Sequence, residues 1–303
     1  MKKIFLIFLL ITNIFSADIE TAKKLFDEEQ KYEQANKIFM KNLDNSESQY
    51  YIGKAYLYGM GIEKNVKKAF EFAKKSSSKN NSSGLNLLGV LYQYGEGVEK
   101  NELEALKYYK EAANFNNTKA MKNLGKIYFL GGERITKDYG KAEKWFLKAY
   151  ELGDTTASYD IAQFYASTEI KQCEKAIHYY KIYKNTNPIN LDYVYSRIGD
   201  CYYELNQYQD AYSFYSESAK LNNSYAMVDI YTKFSDYSHI VSNQIRFFWL
   251  KKAALEFDNK FAISFLINQM SMPKKDRLES LTKLYQKGNL EAGCKLAAYY
   301  SNL

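Results

Sequence analysis

A glycine-containing motif returns every 36 residues in the first half of the chain, and this period limits the fold more than any other feature. Gly53, Gly89 and Gly125 are each separated by 36 residues. Gly61 and Gly97 have the same separation. Alanines follow in phase, with one extra residue in the third copy: Ala69, Ala105 and Ala142. Periods of about 20–50 residues are typical of solenoids, in which each repeat buries its apolar face against its neighbours. Such a fold offers a long surface for binding and usually no closed catalytic pocket.

Each repeat predicts two amphipathic helices, which we call helix A and helix B. In helix A, Leu88 and Tyr92 are four residues apart and share one face, with Gly89 beside them. A glycine inside a helix costs about 1 kcal/mol relative to alanine, so its recurrence predicts a close approach of another helix. The sequence therefore predicts an all-α protein, an α/α superhelical solenoid of helix-turn-helix repeats.

The turn between the two helices carries a Gly-x-Gly sequence, at Gly59–Gly61 and again at Gly95–Gly97. Glycine suits the left-handed backbone conformation that ends many helices. Asn65 and Asn101 are then placed to cap helix B. These glycines resemble a phosphate-binding loop only superficially, because no strand precedes them and no Lys-Ser/Thr follows. A structural turn is the favoured interpretation.

Residues 1–17 have the pattern of a bacterial secretory signal peptide. Lys2 and Lys3 precede an unbroken apolar run, and the small residues Ser16 and Ala17 can flank a cleavage site after residue 16 or 17. An uncleaved N-terminal anchor is the alternative. Beyond residue 17 the sequence has no long apolar run, so the mature chain is predicted to have no transmembrane segment. We expect it in the periplasm or outside the cell.

The regularity of the repeat changes along the chain and suggests a division into segments. After the signal peptide we expect the following: an N-terminal helix pair that caps the solenoid (18–46), three regular repeats (47–154), two divergent repeats (155–221), and degenerate C-terminal repeats with a cap (222–303). Atypical terminal repeats are expected, because they close the ends of a solenoid.

The charge of the chain argues against nucleic-acid binding. The formal charge is +7, and without Lys2 and Lys3 the 40 remaining Lys and Arg residues face 35 Asp and Glu residues, which gives +5. The basic residues form only short clusters, such as Lys67–Lys68 and Lys274–Lys275. A nucleic-acid surface requires a denser basic stripe. We therefore expect no nucleic-acid partner.

Few residues in the sequence are suited to bind a metal ion or a cofactor, and we expect neither. The three cysteines, Cys173, Cys201 and Cys294, lack C-x-x-C or metal-ligand spacing, and each of the two histidines is isolated. Cys173 and Cys201 fall on successive predicted helices, so they can form a disulfide if their Cα atoms lie within about 7 Å. Three buried free thiols are the other interpretation.

These residues resemble the Sel1-like repeat family, a branch of the tetratricopeptide-like helical repeats. The resemblance rests on Leu/Ile-Gly-x-x-Tyr, then Gly-x-Gly-Val/Ile, then Lys/Glu-Ala, at this period over about residues 48–153. The pair at Tyr193–Leu221 is more similar to an ordinary tetratricopeptide repeat. The resemblance implies a protein-binding scaffold without catalytic activity.

A secreted, cysteine-rich branch of this family is associated with penicillin binding and weak β-lactamase activity. In that branch a cysteine near the end of helix B pairs with one at the start of the next helix A. Ala112–Ala113 and Met121 stand at the corresponding places here, and Cys294 lacks a partner. The absence of this disulfide pattern weakens the enzymatic alternative.

The leading functional hypothesis is therefore an exported scaffold that binds a protein or peptide, with or without acidic segments, on its concave surface. If the tetratricopeptide geometry holds, the exposed positions of the A helices line that surface. They are Tyr50, Lys54, Tyr58, Asn86, Gln93, Tyr94, Lys122, Lys126, Phe129, Tyr159 and Gln163. The alternatives are a weak β-lactam-binding hydrolase and an architectural envelope protein that assembles through its C-terminal repeats.

Overall fold

The computed structural model describes residues 18–186, 188–268 and 273–301, and all regular secondary structure in these residues is α-helical. The predicted signal peptide, residues 1–17, lies outside them. The helices are α1 (residues 18–27), α2 (Tyr32–Lys41), α3 (Ser46–Tyr58), α4 (Val66–Ser77), α5 (Ser82–Tyr94), α6 (Glu102–Asn114), α7 (Thr118–Leu130), α8 (Tyr139–Glu151), α9 (Ala157–Ala166), α10 (Cys173–Lys184), α11 (Leu191–Glu204), α12 (Tyr208–Lys220), α13 (Ser224–Lys233), α14 (Asn243–Leu255), α15 (Lys260–Asn268), α16 (Lys274–Gln286) and α17 (Leu290–Tyr300).

The chain forms two compact units, of which unit 1 ends at Asp160 and unit 2 begins at Ile161. In unit 1, α3 packs on α4, α5 on α6 and α7 on α8, and α4–α5 and α6–α7 contacts stack these hairpins. In unit 2, α11 packs on α12, α13 on α14 and α16 on α17. This pairing of consecutive helices confirms the predicted all-α solenoid of helix-turn-helix repeats. The finer five-segment division stays a prediction.

Asparagine side chains fix the start of each A helix in unit 1. Asn45, Asn81 and Asn117 lie 36 residues apart, at the N-caps of α3, α5 and α7. The side-chain oxygen of each accepts a hydrogen bond from the backbone N–H of the first turn, which otherwise lacks a partner within the helix. The repeat thus encodes its helix boundaries as well as its apolar face.

The Gly-x-Gly turns have the conformation that the sequence predicted. Gly59 and Gly95 follow the last residues of α3 and α5, with φ angles of 71° and 72° that disfavour residues with a side chain. Asn65 and Asn101 cap α4 and α6, which confirms their expected role. The turn therefore ends one helix and starts the next within residues 59–65 and 95–101.

Two of the glycines inside the A helices, Gly89 and Gly125, allow an aromatic ring of helix B to approach the A-helix backbone. A Cβ atom at Gly89 would lie 2.5 Å from Cε1 of Tyr109, and one at Gly125 would lie 2.5 Å from Cδ1 of Phe146. Real Cβ atoms do not come this close, so only glycine fits without a shift of the ring. The close packing predicted from the recurrence of these glycines is confirmed.

The amides of the N-cap asparagines also connect successive repeats. Asn81 Nδ2 donates to Ser46 Oγ over 3.5 Å, and Asn117 Nδ2 donates to Ser82 Oγ over 3.3 Å. In each case the serine is the first helical residue one repeat earlier. One side chain therefore caps its own helix and bonds to the previous one.

The same asparagine bond occurs in the region that the sequence marked as degenerate. Asn259 Nδ2 donates to Ser224 Oγ over 3.0 Å, and its Oδ1 accepts from the N–H groups of Phe261 and Ala262. Ser224 and Asn259 are 35 residues apart, as are Ser46 and Asn81. This cap and inter-repeat bond thus recur in unit 2, where the Gly-x-Gly sequence does not.

No helix of the described residues is long and apolar enough to cross a lipid bilayer.

Candidate interaction surface

The most exposed aromatic side chains among the predicted binding residues are Tyr58 and Tyr94. They are the last residues of α3 and α5, and their exposed fractions are 58% and 69%. Leu130 ends α7 at the same repeat position and is 66% exposed. We call Tyr58, Tyr94 and Leu130 the apolar ladder. The predicted binding residues did not include Leu130, because all of them were polar or aromatic. Leu130 nevertheless lies 36 residues after Tyr94 and so occupies the same repeat position.

Two further predicted residues support the ladder from partly buried positions. Tyr50 is half-buried, packs edge-on against Tyr51 with ring centroids 5.0 Å apart, and has its pKa raised by burial to about 12. Gln93 is also half-buried, and its Oε1 accepts a hydrogen bond of 2.7 Å from the hydroxyl of Tyr109. Burial raises the pKa of Tyr109, and the neighbouring phenols of Tyr94 and Tyr58 raise it further. Tyr50 and Gln93 thus contribute to packing beneath the exposed residues.

The predicted lysines are paired with aspartates of the same unit. Lys54 Nζ lies 3.2 Å from Asp27, and Lys126 Nζ lies 2.9 Å from Asp160. Only the side chain of Lys126 is about half exposed. An acidic ligand would have to compete with these aspartates.

Lys122 has the most extensive of these pairings. Its Nζ lies 3.0 Å from Asp154 Oδ2 and donates to Thr156 Oγ1 over 2.7 Å. Burial opposes the ionisation of Asp154, but the bonds from Thr156 and Lys122 outweigh it and lower the pKa of this carboxyl. The pair connects α7 with the residues just before α9.

The remaining predicted residues have mixed environments. Asn86 accepts a hydrogen bond of 3.1 Å from Asn123, one repeat later. Phe129 is half-buried, with its ring centroid 6.0 Å from that of Tyr139. Tyr159 is half-buried in unit 1, and Gln163 is exposed in unit 2. The structure therefore brings the residues of α3, α5 and α7 into one repeating arrangement within unit 1, and Gln163 belongs to unit 2.

In unit 2 the A helices carry a polar cluster that the sequence did not reveal. Asp200 accepts hydrogen bonds from Tyr215 Oη, Lys233 Nζ and Arg197 Nη1 at 2.7, 2.6 and 2.7 Å. Tyr215 is fully buried, and burial together with Asp200 raises its pKa. We call Arg197, Asp200, Tyr215 and Lys233 the Asp200 cluster. Its members come from three helices, so sequence spacing alone gave no signal for it.

Two Ser-x-x-Lys sequences lie within the described residues, at Ser76–Lys79 and Ser280–Lys283. In both, the serine and the lysine make hydrogen bonds to other groups. Ser76 donates to Ser46 O and Ser280 to Asp276 O, whereas Lys79 donates to Asp44 O and Lys283 pairs with Glu279. Within these residues no three His, Cys, Asp or Glu side chains are grouped so that they could hold a metal ion.

Comparison with known proteins identifies the repeat. The Sel1 repeat profile matches residues 46–81, 82–114 and 118–154. A Sel1 repeat protein from Oxalobacter formigenes is 29% identical, with a TM-score of 0.59, and the match covers 78% of this chain and 96% of that one. No curated protein sequence shows a significant match.

Two more distant structures share the fold. The protective antigen c5321 of uropathogenic Escherichia coli, which displays an SLR fold, is 21% identical with a TM-score of 0.66, over 95% of this chain and 65% of that one. The C-terminal part of a TPR repeat-containing protein from Cytophaga hutchinsonii is 16% identical with a TM-score of 0.54, over 81% of this chain and 98% of that one. The chain is thus a helical-repeat scaffold that carries three Sel1 repeats between residues 46 and 154.

Proposed function

We propose that the protein is an exported, non-catalytic scaffold that binds an extended segment of another protein along the apolar ladder. Sel1 and TPR-like repeats generally mediate protein interactions, and the ladder is the observation that supports this role here. Tyr58, Tyr94 and Leu130 are large, exposed and placed at one position in three successive repeats. Exposed apolar side chains that form a pattern mark interaction sites more often than scattered ones do.

The spacing of the ladder favours a partner with an extended backbone. α3 packs against α5, and packed helices have axes about 8–10 Å apart. A polyproline II segment advances about 9 Å over three residues and returns to the same face after three residues. A partner with apolar side chains three residues apart therefore matches the step from Tyr58 to Tyr94, whose phenol hydroxyls can bond to its backbone.

A peptide selection tests this proposal. A phage library of random 12-residue peptides is selected on the chain without residues 1–17, and enriched peptides are measured by fluorescence polarisation. We expect apolar residues three positions apart. The triple variant Tyr58→Ala/Tyr94→Ala/Leu130→Ala should bind at least about 10-fold more weakly, because exposed aromatic anchors contribute much of the binding energy in such interfaces.

A matched variant separates the ladder from general exposed apolar surface. Leu103, Phe115 and Leu152 are also exposed in unit 1, outside the A helices. Leu103→Ala/Phe115→Ala/Leu152→Ala should change affinity less than about 2-fold, because surface substitutions away from a binding site have small effects. Equal losses in both triple variants would remove the ladder as the binding site.

A partner with acidic segments is a more specific form of the proposal. To bind it, Lys54, Lys122 and Lys126 would have to leave their aspartates for acidic groups of the ligand. Lys54→Gln/Lys122→Gln/Lys126→Gln should weaken binding of an acidic peptide and flatten its salt dependence. Because exposed ion pairs contribute about 0–1 kcal/mol each, the effect should be smaller than that of the ladder. If the dependence of affinity on salt concentration is unchanged, the three lysines do not contribute and the ladder alone determines binding.

Self-assembly is the second candidate, favoured by exposed apolar residues near the end of unit 2. Phe261 and Phe265 on α15, with Leu290 and Tyr300 on α17, are all exposed. Light scattering that finds only monomers at high concentration would remove this role. A nitrocefin assay of the same preparation tests the β-lactamase alternative, for which we expect no turnover above the buffer blank.

We place the protein in the periplasm or outside the cell because of the signal-peptide pattern in residues 1–17. Fractionation of cells that express the full chain tests this, with N-terminal sequencing of the product. Retention of residues 1–17 on a membrane-bound product would support the anchor alternative instead.

A further inference from the structure

Two cysteines of unit 2 lie side by side at a helix–helix contact. Cys173 is the first residue of α10, Cys201 lies on α11, and these helices pack against each other. Their exposed fractions are 8% and 3%, and both are free cysteines. Both line one surface depression, together with Arg197, Asp200 and Glu204. Cys294 on α17 is exposed and has a free thiol.

We propose that Cys173 and Cys201 are an oxidation site that forms an intramolecular disulfide, which ties the start of α10 to α11. Because both side chains line the same depression where α10 packs on α11, we expect their sulfurs to reach bonding distance with little movement of the helices. The depression gives a small disulfide reagent access to the pair. This site is independent of the apolar ladder, since unit 2 contains no ladder residue.

The reaction is thiol–disulfide exchange with an external disulfide as the oxidant. The thiolate of one cysteine attacks the external disulfide, forms a mixed disulfide and releases one thiol. The second cysteine then attacks the mixed disulfide and releases the second thiol. Two protein thiols lose two protons and two electrons, and the external disulfide is reduced to two thiols. Burial raises the pKa of both cysteines, so the exchange should be slow at neutral pH.

Alkylation mapping tests the proposal. The full chain is purified with reductant, treated with oxidised glutathione, unfolded and alkylated with iodoacetamide. We expect the number of alkylated cysteines to fall from three to one, at Cys294, with a peptide pair joined through residues 173 and 201. The bonded form should unfold at a temperature up to about 10 °C higher, because the bond closes a loop of nearly 30 residues.

Cysteine variants and the wild-type protein each give a result that can contradict the proposal. Cys173→Ala and Cys201→Ala should each abolish the joined peptide pair, whereas Cys294→Ala should retain it. The comparison of oxidised and reduced wild type needs no substitution, so it remains informative if a variant does not fold. Three alkylated cysteines after oxidation, a bond to Cys294, or glutathione retained on a single cysteine would each overturn the proposal.

Discussion

Units 1 and 2 form the same helix hairpin with different connections. In unit 1, α5 joins α6 through residues 95–101, which contain the Gly-x-Gly sequence. In unit 2, α11 joins α12 through residues 205–207 alone. Both hairpins nevertheless place a helix-A glycine against a buried tyrosine of helix B, Gly89 on Tyr109 and Gly199 on Tyr215. These two hairpins therefore share a glycine–tyrosine contact although their turns differ in length.

The two units also differ in how they accommodate charge on their A helices. In unit 1, Lys54 and Lys126 each pair with one aspartate. In unit 2, Asp200 alone accepts from two cations and a buried hydroxyl. Asp27 also accepts from the buried Tyr51 hydroxyl and so couples α1 with α3, whereas Asp200 couples three helices. Unit 2 thus compensates for its less regular sequence with a connected polar network.

The largest expected effect comes from filling the space beside the A-helix glycines. Gly89→Ala should lower the free energy of unfolding by about 3 kcal/mol and Gly199→Ala by about 2 kcal/mol, because overpacking forces a buried ring to move. The closest ring atoms lie 2.5 and 2.9 Å from the added Cβ. Both changes in stability are measured by urea unfolding, with circular dichroism as the signal. If Gly199→Ala is neutral, the two hairpins are not held by the same contact.

Gly140 on α8 provides the matched control for this substitution. Its nearest neighbour to an added Cβ is Asp138 Oδ1 at 3.6 Å, an ordinary contact. Gly140→Ala should therefore raise the free energy of unfolding by up to about 1 kcal/mol, as expected for alanine in an exposed helix. A loss of stability at this position would show that helix geometry, rather than ring contact, explains the other two variants.

The Asp200 cluster should be more sensitive than a single ion pair of unit 1. Asp200→Ala removes the acceptor of three donors and should cost about 2 kcal/mol, because the buried Tyr215 hydroxyl loses its acceptor. Asp154→Ala in unit 1 should cost about 1 kcal/mol, since the hydroxyl that loses its acceptor belongs to the exposed Thr156 and not to a buried residue. A double-mutant cycle of Asp200→Ala with Tyr215→Phe should give a coupling of about 1 kcal/mol. Additive effects would contradict a connected network.

The N-cap asparagines should contribute equally to the two units. Asn117→Ala and Asn259→Ala should each cost about 1 kcal/mol, because each loses a helix cap and the bond to a serine of the previous repeat. Asn117→Asp keeps the capping oxygen and loses the amide that donates to Ser82, so it should cost only a few tenths of a kcal/mol. Hydrogen exchange at the first turns of α7 and α15 locates the loss. Unequal losses would show that the repeat has changed its construction in unit 2.

The sequence predicted what depends on local spacing. The helix pairs, the caps at Asn65 and Asn101 and the role of Gly89 follow from residue type and period, and the structure confirms them. The 36-residue period also relates positions that are occupied by different residue types. Leu130 occupies the position of Tyr94, and Gln93 occupies that of the buried Leu57. Position in the repeat is therefore a better guide to exposure than residue polarity.

The partners of the charged side chains could not be predicted in the same way. Lys54 pairs with Asp27, 27 residues away, and Lys122 with Asp154, 32 residues away. These contacts depend on the direction of side chains between stacked helices, which spacing along one helix does not determine. The same reason hid the Asp200 cluster, whose members lie on α11, α12 and α13.

The smallest expected effects distinguish the two units by their response to acid. The pKa of Asp154 is lowered in the folded state, so its contribution stabilises above the unfolded pKa and is lost as pH falls through the folded pKa. The pKa of Asp229 in unit 2 is raised by burial, which Lys233 only partly offsets. Its ionisation therefore opposes folding, and this penalty is relieved as pH falls through the raised pKa.

Thermal unfolding of Asp154→Asn and Asp229→Asn between pH 3 and 7 tests these opposite signs. Near neutral pH, Asp154→Asn should be less stable than wild type and Asp229→Asn more stable, each by under about 1 kcal/mol. As pH falls, the stability difference between wild type and Asp229→Asn should disappear before that between wild type and Asp154→Asn. The reason is that the carboxyl of Asp229 takes up a proton at higher pH than that of Asp154. If the stability difference between wild type and Asp229→Asn does not change with pH, Lys233 fully compensates the buried charge of Asp229. Unit 2 would then tolerate its polar network without cost, and the contrast with unit 1 would lie only in connectivity.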